Sequence, residues 1–157
     1  MFSESHASAL ITDHCSLTTV TRTNITGGSP FEPIIGFSRA VRVGNVVHLA
    51  GTAPVGAEDQ DAEGQTRRIL AIAREALERA GASFEHVVRT RMYLTHVEDW
   101  EAVGRVHGEH FADVRPAATM VVVAQLLNPA WRIEMEMDAV VDSPSDQDSG
   151  FIPSPPM

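Results

Sequence analysis

The run Ile133–Ala139 reads IEMEMDA, so Glu134, Glu136 and Asp138 alternate with apolar residues. Strict alternation defines a strand with one face in the core, and here it lines up three carboxylates on the other face. Like charges at that spacing repel, so the row needs water, basic partners or a task. One carboxylate in a closed cleft can act as a general base, taking a proton from water as the water attacks an electrophilic carbon. The alternation alone does not say which of the three takes that role, and the others are expected to be structural partners of arginine.

The chain carries 12 basic residues, all of them arginine. Without lysine there is no Schiff-base nucleophile and no phosphate loop ending in Gly-Lys. Arg39, Arg89, Arg91 and Arg132 could each offer a guanidinium fork to a ligand; Arg39 and Arg91 stand on strands placed to border a cleft. His107 and His110 are spaced i, i+3, with His96 just upstream, a spacing that can hold a metal. No carboxylate completes a known set, and HGEH lacks the zinc-protease spacing, so neither a metal nor a cofactor is expected. His107 shares a helical face with Trp100, Val103 and Phe111 and should pack at the core edge. His48 should reach the cleft or an interface, or sit partly buried and hydrogen-bonded. Phe37, Met120 and Trp131 are candidates for an apolar pocket lining.

Other classes are disfavoured by the totals. A net charge of −9 opposes nonspecific nucleic-acid binding. No apolar run approaches the length that spans a bilayer, and the N-terminus lacks the pattern of a signal peptide. A cytoplasmic protein is expected. One cysteine, Cys15, allows no intrachain disulfide, and 157 residues suit a single domain whose core needs no such staple.

The elements that must position these side chains follow from the pattern. Residues 1–17 and 143–157 read as disordered tails, leaving a domain over 18–142. Leu17–Thr23 is a short strand, and Gly27, Gly28, Pro30 and Pro33 make a loop. Ser38–Val43 and Val46–Ala50 form a hairpin around Gly44-Asn45. Gly51–Asp61 is a loop. Gln65–Ala80 is an amphipathic helix with Ile69, Ile72, Ala73, Ala76, Leu77 and Ala80 on its apolar side and Gly81 as its stop. Val87–Thr95 is a strand. Thr95 and Glu98 have the spacing of a capping box for a helix over Asp99–Ala112. Ala117–Leu126 and Arg132–Val141 are two further period-2 strands joined by a Pro-containing turn. Two helices would cover one face of a mixed sheet. The other face would carry Arg89, Arg91, Tyr93 and the acid row, half buried against a copy of the chain.

The order and the residues resemble the Rid/YjgF family of reactive intermediate deaminases, once labelled L-PSP endoribonucleases. The resemblance rests on Arg42-Val-Gly-Asn-Val-Val-His-Leu-Ala-Gly51 with Pro54, Gln65-Thr-Arg, Leu77–Ala82, Val87-Val-Arg-Thr90 with Tyr93-Leu-Thr95, Asp99-Trp-Glu-Ala-Val103, Arg115-Pro-Ala and Ile133-Glu-Met-Glu136. It implies a chorismate-mutase-like α+β domain in a homotrimer, with three clefts between subunits. It also implies hydrolysis of enamines and imines of 2-amino acids. In that family an arginine after the Arg-Pro-Ala motif clamps the substrate carboxylate, and a glutamate in the last strand handles water.

Here the glutamate is Glu134 and the backbone glycine is Gly51, but the arginine's place holds Ala118. The family's tyrosine, asparagine and cysteine fall on Phe37, Gly104 and Met120. A carboxylate substrate would lose a contact worth about 1.5–3 kcal/mol. The resemblance therefore implies an imine or enamine hydrolase with altered substrate choice, using Glu134 and a cleft formed by Phe37, Gly51, Ala118, Met120, Gly104 and a replacement arginine, Arg39 or Arg91. The alternative is a non-catalytic trimer of the same fold that binds a metabolite or partner. Ribonuclease activity follows only from the older label, and the net charge counts against it.

Overall fold

The computed structural model describes residues 20–142. The two expected tails, with Cys15, lie outside the described residues. Within them the chain forms β1 (Arg22–Ile25), β2 (Ala40–Val43), β3 (Val46–Thr52), α1 (Ala62–Arg79), β4 (Val87–Leu94), α2 (Trp100–Phe111), β5 (Ala117–Val122) and β6 (Ile133–Val140). All six strands belong to one mixed sheet in the order β1-β2-β3-β6-β4-β5. Only β4 and β5 pair in parallel; the other neighbours are antiparallel. This is the α+β architecture expected, with both helices on one face.

The connectivity explains the mixture. A helix that returns the chain to the same edge direction makes its flanking strands parallel, so α1 and α2 carry β3 to β4 and β4 to β5. The last strand then inserts antiparallel between β3 and β4. The two period-2 runs at the C-terminal end are therefore not a hairpin: β4 separates them. The first run also stops pairing at Val122, because Leu94, its partner there, is the last residue of β4.

The core lies between sheet and helices. Val47, Leu49, Met92, Leu94, Ile133, Met135, Met137 and Ala139 meet Ile69, Leu70, Ala73, Leu77, Val103, Val106 and Phe111, all buried. The 3.6 period placed α1 correctly, but the helix begins three residues earlier than the apolar pattern. Asp61 caps it, accepting from Gly64 N–H at 2.8 Å. Gly81, at φ 74°, supplies the left-handed residue that ends it.

Three local expectations change. The first strand starts at Arg22 and runs to Ile25, pairing with Ala40–Val43. The proline loop contains a helical turn, Glu32–Gly36, tied down by Glu32. That buried carboxylate accepts from Thr26 Oγ1 and from Gly27 N–H. No Thr95/Glu98 capping box forms. Thr95 Oγ1 turns instead to His96 Nδ1 at 2.8 Å, and a tight turn at Val97–Asp99 precedes α2.

Candidate active site

The acid row points away from the helices, and its neighbours across the strands are basic or phenolic. Arg91 stands opposite Glu136, Tyr93 opposite Glu134 and His48 opposite Asp138. Arg91 Nη1 reaches Glu136 and Asp138, each at 3.3 Å. Tyr93 donates to Glu136 Oε1 at 2.6 Å, and His48 Nδ1 lies 2.8 Å from Asp138 Oδ1. The row is thus neutralised across strands, with one exception. Among the described residues no donor hydrogen-bonds to Glu134.

Glu134 looks instead into a groove of about 890 Å³. Its walls come from the loop 27–37, the start of the loop after β3, the outer side of α1 and the segment Leu127–Trp131 before β6. Burial pushes the Glu134 carboxyl above the usual glutamate range; the Arg39 guanidinium pulls it back, and Glu136 adds to the rise. A carboxylate so placed is a stronger base than one in water.

Gly51 makes room for it. A Cβ there would fall on Glu134 Oε1 and lie 3.2 Å from Cδ. The pairing of β3 with β6 breaks between Leu49 and Thr52, so the Gly51 carbonyl is released from the ladder. Arg39 takes it up: Nη1 donates to Gly51 O at 3.0 Å and to Thr52 Oγ1 at 3.1 Å. Partial burial lowers the arginine's proton affinity, and Glu32 and Glu134 raise it.

Of the residues singled out from sequence, Glu134, Gly51, Phe37, Arg39 and Trp131 line this groove. Ala118, Met120, Gly104 and Arg91 do not line it within one chain. Ala118 and Met120 sit on β5, at the sheet edge, opposite Thr90 and Met92, and Met120 packs against the core. Gly104 is on α2 with open space where a Cβ would stand. Arg91 is committed to the acid row, and Arg132 pairs with Asp99 through two bonds of 2.8 and 2.9 Å.

The histidines are occupied as well. His107 Nε2 meets Thr90 Oγ1 at 3.0 Å and its ring packs on Phe111. His110 Nδ1 faces the Val106 carbonyl. Trp100, the first residue of α2 and expected on the same buried face, is 55% exposed.

Gln65 is a positioning residue that composition and pattern did not mark. It is fully buried. Its amide donates to Ala130 O at 2.9 Å and to Gln60 O, and its oxygen accepts from Arg132 N–H at 2.8 Å. One side chain on α1 thereby fixes the segment that leads into Glu134. Only its place in the Gln-Thr-Arg match hinted at this.

A carboxylate in a groove beside a glycine, on the last-formed strand of a sheet backed by two helices, defines the class. Residues 28–141 match the family described as Endoribonuclease L-PSP. An uncharacterized protein of Streptomyces coelicolor is 38% identical over 119 residues, 73% of this chain and 89% of its own length. A RutC family protein of Pyrococcus abyssi is 32% identical over 114 residues, 69% of this chain and 87% of its own. The crystal structure of a YjgF/YER057c/UK114 family member from Mycobacterium tuberculosis gives a TM-score of 0.73 at 44% identity, covering 77% of this chain and all of that one. A YjgF family protein from Neisseria meningitidis gives 0.68 at 27% identity, with 78% and 97% covered. The chain belongs to the YjgF/Rid, or endoribonuclease L-PSP, family.

Proposed function

We propose that the protein hydrolyses an imine or enamine-type small molecule in the Glu134 groove, as a cytoplasmic homotrimer whose neighbouring subunits complete the cleft. The observation that carries this is Glu134 itself: a half-buried carboxylate, unbonded among the described residues, at the groove wall beside Gly51. Water held by Glu134 attacks the C=N carbon. The carboxylate takes a proton from that water as the C–O bond forms on the protonated imine and passes it to the nitrogen of the resulting carbinolamine; it then accepts the carbinolamine hydroxyl proton as the C–N bond breaks. Ammonia or an amine leaves and a ketone or aldehyde remains. An enamine enters the same path after protonation at carbon.

Ala118 sets the substrate choice in this reading. With alanine where the resemblance expects an arginine, a 2-imino acid loses its carboxylate contact, and the cleft favours a substrate without that group. Phe37 and Met120 add apolar surface, Gly104 adds space, and β5 brings Ala118 and Met120 to the cleft from a neighbouring copy. The exposed Val121 and Val122 on that edge strand are consistent with a covering partner. A second reading, a trimer that binds without catalysis, is favoured by the same Ala118. Imines generated in situ, with and without a carboxylate, separate the two. Ketone or aldehyde release that disappears in Glu134→Gln supports hydrolysis; no acceleration of any imine by a folded trimer supports binding alone. Among the described residues no helix is long and apolar enough to cross a membrane, and no group of three or more His, Cys, Asp or Glu side chains converges on a metal position.

A further inference from the structure

The groove contains a guanidinium edge with nothing to bond. Arg39 uses only Nη1, on Gly51 O and Thr52 Oγ1; among the described residues its Nε and Nη2 donate to no acceptor. The Nε side is kept open by Gly27, where a Cβ would stand 3.2 Å from Nε and 3.1 Å from Glu32 Oε1. Both residues line the groove. Trp131 Nε1–H, buried in the groove wall, is directed to the Glu58 carboxylate and helps to keep it ionised. A partly buried donor left unpaired is costly, and one that faces a groove indicates that its ligand presents an acceptor.

The charges around Arg39 say what kind of acceptor. Glu32 and Glu134 both act on the guanidinium across space, and neither forms an ion pair with it among the described residues. One positive charge therefore stands between two negative ones. The other arginines of the groove each hold a backbone carbonyl through one nitrogen, Arg68 that of Val55 at 2.8 Å and Arg79 that of Thr26 at 2.7 Å, and their charges are matched along the groove by Glu58 and Glu75. An anion reaching Arg39 gains one attraction and meets two repulsions. A neutral carbonyl gains the charge-assisted hydrogen bond without either repulsion. Phe31, Ile35, Phe37 and Leu127 supply an apolar part of the wall, which suits an apolar body.

We infer that the Nε/Nη2 edge of Arg39 is a binding element for a neutral carbonyl-type acceptor, and that the groove selects uncharged, largely apolar molecules carrying such a group. This deepens the proposed hydrolysis, on which its biological meaning rests, by naming the substrate class. Its test is separate, because it measures binding alone.

The probes are benzylacetone, a neutral ketone, and hydrocinnamate, a carboxylate of the same size and ring. Amide and indole N–H signals of Gly27, Gly51 and Trp131 are followed by NMR as each is titrated into the full chain. The ketone should shift these signals and bind about tenfold tighter than the carboxylate. Arg39→Met and Arg39→Lys should each weaken the ketone about tenfold; lysine keeps a donor for Gly51 O, so it decides if the methionine variant does not fold. Glu134→Gln should raise the affinity for hydrocinnamate while leaving that for benzylacetone within about twofold. Equal or tighter binding of hydrocinnamate by the wild type overturns the inference. So do absence of shifts with both probes up to their solubility, and Arg39 variants with native melting curves that bind like wild type. Hydrolysis of imines with failure of this test would leave the proposed reaction standing and remove only the substrate class; the ketone preference without hydrolysis would do the reverse.

Discussion

Substituting Gly51 by alanine probes the site with a single methyl group. That methyl would fall on Glu134 Oε1 and sit 3.2 Å from Cδ, so the carboxylate must turn away. Moving the end of a flexible side chain to a poorer rotamer costs about 0.5–1.5 kcal/mol. The stiffer unfolded chain returns about 0.4–1 kcal/mol, since Gly51 does not occupy the left-handed region. The two nearly cancel, and the melting temperature should move by no more than about 4 °C. Catalysis has no such compensation. Displacing a general base by about 1 Å costs on the order of a hundredfold, so kcat/KM for imine hydrolysis should fall by about that factor while the fold persists. The assay pairs thermal melts with ketone release. Gly108→Ala is the control: its added Cβ meets nothing within 4 Å, and alanine in a helix interior should stabilise by about 0.5–1 kcal/mol. A Gly51→Ala protein with native melting and undiminished turnover would refute the assignment of Glu134 as the base.

Other perturbations test neighbouring claims. Glu134→Gln should lower hydrolysis about a hundred- to ten-thousandfold and raise the melting temperature at neutral pH. The folded-state pKa of Glu134 is raised, so its stability contribution is present below the unfolded value of 4.5 and is lost as pH rises through the folded value. For the same reason the acid limb of wild-type kcat/KM should lie above the ordinary glutamate range. Burial, then the charge of His110, lowers the proton affinity of His107. Its stability contribution is therefore present above the unfolded value of 6.5 and is lost as pH falls toward the folded value. His107→Gln should flatten the decline seen in urea melts between about pH 7 and pH 5. Gln65→Ala should cost about 1–3 kcal/mol in chemical denaturation, because it removes the partner of Arg132 N–H and Ala130 O in two part-buried bonds. If it costs less than about 1 kcal/mol, Gln65 does not hold the entry to β6.

The parts of the fold governed by local periodicity were legible in the sequence. Alternation over Ile133–Val140 placed the acid row on one face, and Arg91 and Tyr93 were rightly assigned to the same face. The 3.6 period found both helices and the pair Gly44-Asn45 found the hairpin. What local pattern does not encode is which edges meet. The two C-terminal runs were legible as strands joined by a turn, but their partners were not: pairing depends on free strand edges, and β4 offered one to each. The site divides along the same line. Glu134, Gly51 and Phe37 came from resemblance to a family. Arg39 was one of two candidate replacement arginines, with Arg91, until the break in β3 pairing gave it the Gly51 carbonyl. Gln65 carries no pattern at all: a buried amide that serves a distant loop looks, in sequence, like any polar helix residue.

The position of β6 has a consequence for synthesis. Translation delivers β3, α1, β4, α2 and β5 before the strand that belongs at the centre of the sheet. Until Ile133–Val140 emerges, β3 and β4 each present an unpaired edge with apolar residues on one face, a species prone to sticking to other chains. The pairings that close the sheet also join residues about ninety positions apart, such as His48 and Asp138, which slows folding. Glu134, the proposed base, arrives on that same strand. A nascent or truncated chain without it would lack both the closed sheet and that carboxylate, leaving an open sheet exposed to proteolysis.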